Sequence, residues 1–283
     1  MTDAASVPTR LRREWVAVAT GASVLLVSGA AALSFVVDAP TLAAATLPAT
    51  PGLSVSTVLA GLPVPLRWLV PTAAVAAYEL WFCFRYLRLN RPEASAAGRS
   101  PHRRLGVPNL VTLARGGLFA AVAGFVALAP RAEIAWIPAI LYGFGCALDA
   151  VDGALARRLD RRTVLGAKLD MAIDTTGFLL APVVAVLWGQ LPIWYLSLSV
   201  ARYLFKFGRG LRRRRGKSVY DLPDSLVRRP LAGIQMAFIT LALSPLFDLG
   251  AIRPLAAVVL APSLAVFARD YLVVSGRIAR SRR

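Results

Sequence analysis

The chain has 283 residues, 57% of them apolar, and 33 basic residues against 15 acidic ones leave a formal net charge of +18. Soluble domains are about 45–50% apolar, so this composition argues against intrinsic disorder. It also argues against a soluble nucleic-acid binder, whose basic surface would not be broken by repeated apolar runs. What remains is a polytopic membrane protein with its charge in the loops, and no nucleic-acid partner is expected. Only Lys168, Lys206 and Lys217 are lysines, so the charge is almost wholly guanidinium. Cys83 and Cys146 lie inside apolar runs and suggest neither a disulfide framework nor a thiolate metal site. His102 is the only histidine, which leaves no multi-histidine site.

A membrane-spanning helix needs about 20 mostly apolar residues. Eight stretches meet this, at roughly 15–37, 67–87, 108–129, 134–156, 167–188, 191–208, 230–248 and 252–274. The first follows Arg10, Arg12 and Arg13, and its apolar run is longer than a signal-peptide core, so it reads as a retained helix. The second contains Glu79. Residues 38–66, rich in Ala, Pro and Thr, form the first connection between spans. Residues 91–107, with Pro92, Gly98, Pro101 and Gly106, read as a linker between a two-helix appendage, 1–90, and a six-helix core, 108–275, with a basic tail at 276–283.

Arginine and lysine alternate between rich and poor loops along the whole chain. Rich segments surround Arg85 to Arg104, Arg157 to Arg162, Lys206 to Arg229 and the tail, whereas Arg131 and Arg253 stand alone in the loops between. Cytoplasmic loops carry the basic excess, so both termini and the linker are expected in the cytoplasm.

Four of the eleven aspartates, Asp149, Asp152, Asp170 and Asp174, fall at the expected cytoplasmic ends of two adjacent spans. A carboxylate near membrane depth is expensive and reads as functional. At 100° per residue, Asp149, Asp152, Gly153, Ala156 and Arg157 share an arc of about 140°, and Gly166, Asp170, Asp174 and Gly177 line a narrower stripe on the next helix. A short turn joins the two helices, so they read as antiparallel neighbours whose stripes face one cavity. Four carboxylates so close cannot all stay ionised without a cation, and all-oxygen ligation suits Mg²⁺ or Mn²⁺ better than zinc. Plain helix capping with arginine pairing accounts for Asp160, but it requires neither the paired spacing nor the small residues between the other four.

Asp149-x-x-Asp152-Gly153-x-x-Ala156-Arg157, eight residues, then Gly166-x-x-x-Asp170-x-x-x-Asp174, resembles the signature of the CDP-alcohol phosphatidyltransferases at every defining position. The resemblance spans about residues 105–275 and implies a six-helix catalytic core. Such enzymes move a phosphatidyl-type group from a CDP-linked lipid to an acceptor hydroxyl and release CMP. It further implies a pair of Mg²⁺ or Mn²⁺ ions held by Asp149, Asp152 and Asp170, with Asp174 as general base and a possible fourth ligand. Gly153 and Ala156 would let the nucleotide approach closely, Arg157 would fork onto the diphosphate, and Thr163 falls near the nucleotide. Pro108-Asn109-Leu110-Val111-Thr112-Leu113-Ala114-Arg115 is similar to the family's P-N-x-x-T-x-x-R stretch. Asn109 and Thr112 would contact CDP there, although Asn109 also suits a simple cap. Arg115, one turn deeper, needs a phosphate or carboxylate partner. A homodimer is expected from the same resemblance.

Arg202, Lys206 and Arg209, spaced i, i+4 and i+7, share one face at the cytoplasmic end of the sixth span. They read as a pocket for a small, phosphorylated acceptor such as a glycerol phosphate or inositol phosphate. The run Arg212 to Arg215 reads instead as charge attracted to anionic headgroups, worth about 1 kcal/mol per residue. The sequence after Asp174, Thr175-Thr176-Gly177, lacks the serine-rich stretch associated with serine acceptors. Two other readings use the same aspartates. One is a phosphotransferase passing a phospho-alcohol from a CDP-alcohol to a lipid hydroxyl. The other is a divalent-cation transporter, disfavoured because no repeat is evident and such sites lie near the midplane.

Overall fold

The structure, a computed structural model, describes residues 7–37, 59, 61–92, 100–158, 162–220, 222 and 227–277, without the side chains of 152–158. Most of the expected first connection, residues 93–99 of the linker, the turn at 159–161, the loop at 223–226 and the last six residues therefore lie outside the described residues. So do the side chains of Asp152, Gly153, Ala156 and Arg157.

The described residues form α1 (Thr9–Val37), α2 (Val64–Tyr86), α3 (Val107–Ala123), α4 (Ile137–Arg158), α5 (Val164–Leu187), α6 (Ser197–Arg214), α7 (Arg228–Ala242) and α8 (Leu249–Val274). Short 3₁₀ turns follow α2 and α3 and precede α4 and α6. The all-helical expectation holds among these residues, which carry one isolated bridge between Pro92 and Thr163 and no strand. Five segments, Thr9–Val37, Val107–Ala127, Ala132–Val151, Val164–Leu187 and Leu249–Val274, are long and apolar enough to cross a membrane. The eight-span expectation is thus met in part. Helix α2 carries Arg67, Glu79 and Arg85, α6 is heavily basic, and α7 has only 15 residues.

Helix boundaries follow local chemistry. Helix α1 starts at Thr9, ahead of the apolar run, so Arg10, Arg12 and Arg13 belong to it. The sixth span was expected from residue 191, but Pro192 and a 3₁₀ turn delay α6 to Ser197, and its basic stretch prolongs it to Arg214. Helix α7 stops at Ala242, three residues before Pro245, which cannot continue a helix. Thr163 caps α5, its hydroxyl accepting from the Gly166 amide at 2.9 Å, and Asp248 caps α8, accepting from Ala251 at 2.7 Å. After α5 the chain reverses at Gly189, where φ is 73°, a conformation that glycine alone adopts without cost.

Helix α3 occupies the centre. It packs along α4 and α5, while those two touch each other only sparsely, and α2 lies across α3 on the other side. The two aspartate helices are therefore held chiefly through α3. Phe119, Tyr142, Ile173, Phe178, Trp188 and Tyr195 belong to the main buried cluster. Phe35, Leu25, Val258, Phe207 and Phe144 point outward and stay exposed. Apolar side chains on the outside suit a hydrocarbon surround rather than water.

The first two helices are joined to each other and to the rest by specific bonds. Trp68 Nε1 donates to Ala121 O at 3.0 Å and Trp15 Nε1 to Leu80 O at 3.0 Å. Glu14 accepts from the Leu105 amide at 2.9 Å. Asn90 is fully buried, donates to Arg104 O at 2.7 Å, and accepts from Asn109 at 3.1 Å.

Candidate active site

The site forms because Phe119 of α3 lies between two glycines. A β-carbon on Gly177 of α5 would stand 2.6 Å from the Phe119 ring, and one on Gly145 of α4 would also overlap it. Gly145 lies one turn before Asp149, Gly177 three residues after Asp174, and Phe119 one turn after Arg115. The ring therefore sets the separation of α4 and α5 just below the level at which Arg115 meets the aspartates.

Arg115 is fully buried, and its guanidinium collects carboxylates from both flanking helices. It donates to Asp149 Oδ1, to Asp170 Oδ1 at 2.6 Å and to Asp174 Oδ1 at 3.1 Å. The partner that the sequence demanded for Arg115 is thus a set of carboxylates. The aspartates keep side-chain exposures of 37%, 48% and 22%, so their outer oxygens remain open. One carboxylate oxygen from each lies within 4.8 Å of the others. Three carboxylates against one guanidinium leave negative charge in excess, which a half-buried site tolerates poorly without a further cation. An all-oxygen donor set with this surplus fits a hard divalent ion. Asp152 is on the same helix, but its side chain lies outside the described residues.

The expected nucleotide residues separate into two groups. Gly153, Ala156 and Arg157 fall on the undescribed side chains. Asn109, Thr112 and Thr163 are buried, and their polar atoms meet protein groups. Asn109 Nδ2 donates to Leu105 O at 2.8 Å as well as to Asn90, and Thr112 donates back to Pro108 O at 3.0 Å. Asn109 presses on Gly166, where a β-carbon would lie 2.7 Å from Asn109 Oδ1, so close helix approach by itself requires a glycine there. A cavity of about 310 Å³ beside them is lined by Arg10, His102, Arg103, Arg104, Asn109 and Thr163 among others.

The side chains of the three basic residues of α6 contact different groups. Arg202 is half-buried, with its guanidinium 4.5 Å from the centre of the Phe178 ring and within electrostatic reach of Asp174 and Asp170. Lys206 donates to Thr175 at 2.6 Å and lines a cavity of about 620 Å³ shared with Tyr78, Phe82 and Tyr86 of α2. Arg209 lies over Phe205, one turn back on its own helix, at 5.9 Å. Arg228, which opens α7, is clasped by Asp270 at 2.7 and 3.2 Å.

Sequence reading missed the Phe119 wedge, the buried Asn90 and the packing of Glu79 against Gly116. Gly145 one turn before Asp149, and Phe119 one turn after Arg115, were the available signals.

Asp149 on α4 and Asp170 and Asp174 on α5 stand at positions of the D-x-x-D-G-x-x-A-R and G-x-x-x-D-x-x-x-D spacing. The model of the CDP-alcohol phosphatidyltransferase family matches residues 105–269, more than half of the chain, and the chain belongs to that family. The phosphatidylinositol phosphate synthase of Mycolicibacterium smegmatis is 39% identical over 92 residues, covering 32% of this chain and 38% of that protein. A putative cardiolipin synthase of Mycobacterium tuberculosis is 36% identical over 101 residues, covering 36% of this chain and 47% of that protein. The chain therefore spans less than half the length of the curated relatives it matches.

Proposed function

We propose that the protein transfers a phosphatidyl-type group from a CDP-linked lipid, CDP-diacylglycerol or an archaeal equivalent, to the hydroxyl of a small phosphorylated alcohol, releasing CMP. The observation that carries this reading is the convergence of Asp149, Asp170 and Asp174 on buried Arg115 with negative charge to spare. Asp149, Asp152 and Asp170, with Asp174, would hold the metal ions, Mg²⁺ or Mn²⁺ as a pair. When bound, these ions supply Lewis-acid charge along the diphosphate and offset the charge on the departing CMP.

The protein's own residues supply position and proton transfer. Asp174, the least exposed of the three described aspartates, takes the proton of the acceptor hydroxyl. The freed oxygen forms a bond to the lipid-linked phosphorus, and the bond from that phosphorus to the CMP oxygen breaks, its electron pair leaving with CMP. Asn109, Thr112, Gly153, Ala156, Arg157 and Thr163 contact the CDP portion, with the 310 Å³ basic cavity beside Asn109 and Thr163 available to its phosphates. In this reading residues 108–275 are the catalytic core, all eight helices cross the cytoplasmic membrane, both termini and the aspartates face the cytoplasm, and two copies form a homodimer.

Arg202, assisted by Lys206 or Arg209, holds the acceptor phosphate. Its electrostatic reach to Asp174 supports this, because an anionic acceptor approaching carboxylates needs a fixed cation. The name of the phosphatidylinositol phosphate synthase relative favours an inositol phosphate acceptor. The test is product identity when CDP-diacylglycerol is supplied with inositol phosphate, glycerol phosphate, free inositol, serine or phosphatidylglycerol in turn. A preference for a small phosphorylated alcohol is expected, and preference for an unphosphorylated or lipid acceptor would refute this acceptor assignment. Arg202→Ala should raise the acceptor KM by about tenfold or more while leaving the CDP-lipid KM nearly unchanged, since one charge-assisted hydrogen-bonded contact is lost. The reverse pattern would assign Arg202 to the donor.

A further inference from the structure

The cavity of about 620 Å³ beside Lys206 is a groove walled by α2, α5 and α6. Along α5 its lining runs from Lys168, in the second turn, through Thr175 and Thr176 to Leu179 and Leu180. Leu180 lies about 18 Å beyond Lys168 along the helix, within a segment long and apolar enough to cross a membrane. The α2 wall is a ladder of rings one turn apart, Tyr78, Phe82 and Tyr86, with successive centroids 6.2 and 4.7 Å apart. Lys168 Nζ lies 5.0 Å from the centre of the Tyr86 ring. Lys206 of α6 donates to the Thr175 hydroxyl. Both lysines are exposed, and neither forms an ion pair among the described residues.

The groove and the aspartates lie on different sides of α5. At 100° per residue, Lys168, Ala172, Thr175 and Leu179 centre about 150° around the helix from Asp170 and Asp174, so α5 itself stands between them. Two cations lie toward one end of the groove, and beyond Thr176 the α5 wall is leucine. That gradient, along a helix suited to a bilayer, complements an anionic headgroup with its acyl chain. Lysine ends meet the phosphate while their stems and the aromatic rings cover hydrocarbon. A free phosphate would leave the ring and leucine walls uncovered.

We propose that this groove binds an anionic phospholipid outside the active site, its phosphate at Lys168 and Lys206 and an acyl chain along Phe82, Tyr78 and Leu180. Lys206 then belongs to the groove, and Arg202 and Arg209 are left for the acceptor. The test is native mass spectrometry of the purified full-length protein in neutral detergent with EDTA. Phosphatidic acid, which has no hydroxyl to serve as an acceptor, is titrated against phosphatidylcholine and inorganic phosphate. Neither metal nor CDP-lipid is present, so the outcome is independent of the transferase reading. Phosphatidic acid should be retained about tenfold more tightly than phosphatidylcholine, and inorganic phosphate should not displace it. Lys168→Gln should weaken retention about fivefold, and Lys168→Arg should preserve it. Val75→Trp, which fills the apolar end with both cations in place, should weaken it at least as much as Lys168→Gln. Equal retention of the two lipids, displacement by inorganic phosphate, or wild-type retention in Lys168→Gln or in Val75→Trp would each overturn the proposal. Disulfide cross-linking of two copies in membranes through Met171→Cys, at an exposed position of the groove, would make it an interface between copies and overturn the proposal as well.

Discussion

Asp170→Asn should cut CMP release on the order of 10²–10³-fold, the scale seen when one charge-stabilising group is removed from an active site. Asp149→Asn and, from its motif position, Asp152→Asn should fall in the same range. An amide supplies a neutral oxygen where a divalent ion requires charge, and at Asp149 and Asp170 it also removes an anion that Arg115 contacts. The loss should therefore appear twice, in turnover and in Mn²⁺ affinity. Asp174→Asn should damage turnover more than metal binding, because its carboxylate is assigned the proton. Unchanged turnover and Mg²⁺ dependence in any of the first three variants would remove that residue from the metal site.

Gly177→Val should be nearly as damaging, although Gly177 carries no chemistry. Its new side chain would enter the Phe119 ring, already only 2.6 Å from an added β-carbon, and force α5 away from α3. Overpacking of this kind costs about 1–3 kcal/mol, so thermal unfolding in EDTA should shift downward. Because Asp174 lies on the same helix, the displacement should also weaken Mn²⁺ binding. Gly145→Val should behave alike from the α4 side. Trimming the wedge by Phe119→Leu should recover part of both losses in a Gly177→Val background. Normal Mn²⁺ affinity in Gly177→Val would show that the wedge does not set the aspartate spacing.

The acidic motif was legible because its information is in spacing, and helical periodicity turns spacing directly into shared faces. Arg115 was half legible. A guanidinium one turn inside a membrane helix requires an anion, but the sequence could not say whether phosphate or aspartate would be there. Phe119 was invisible for the opposite reason, since an aromatic residue on an apolar helix looks like any other core residue. Its role lies in two glycines on other helices. Glu79 stood out as an anomaly within the second span, yet its neighbour is Gly116 on α3, a relation that no local pattern carries. The basic residues of α6 share a face by periodicity, but their long side chains reach different groups, Phe178, Thr175 and Phe205. Helix ends departed from hydropathy where local chemistry intervened, at the 3₁₀ turn before Ser197 and at the charged starts of α1 and α7.

Metal-dependent transfer from a CDP-linked lipid stands or falls on CMP release by the purified protein in nanodiscs containing CDP-diacylglycerol. With Mg²⁺ and a phosphorylated alcohol present, CMP should appear in step with a new phospholipid, and EDTA should stop both. Mg²⁺ movement across proteoliposomes without CMP release from any CDP-lipid or acceptor would contradict the account and make the aspartates an ion-transport site.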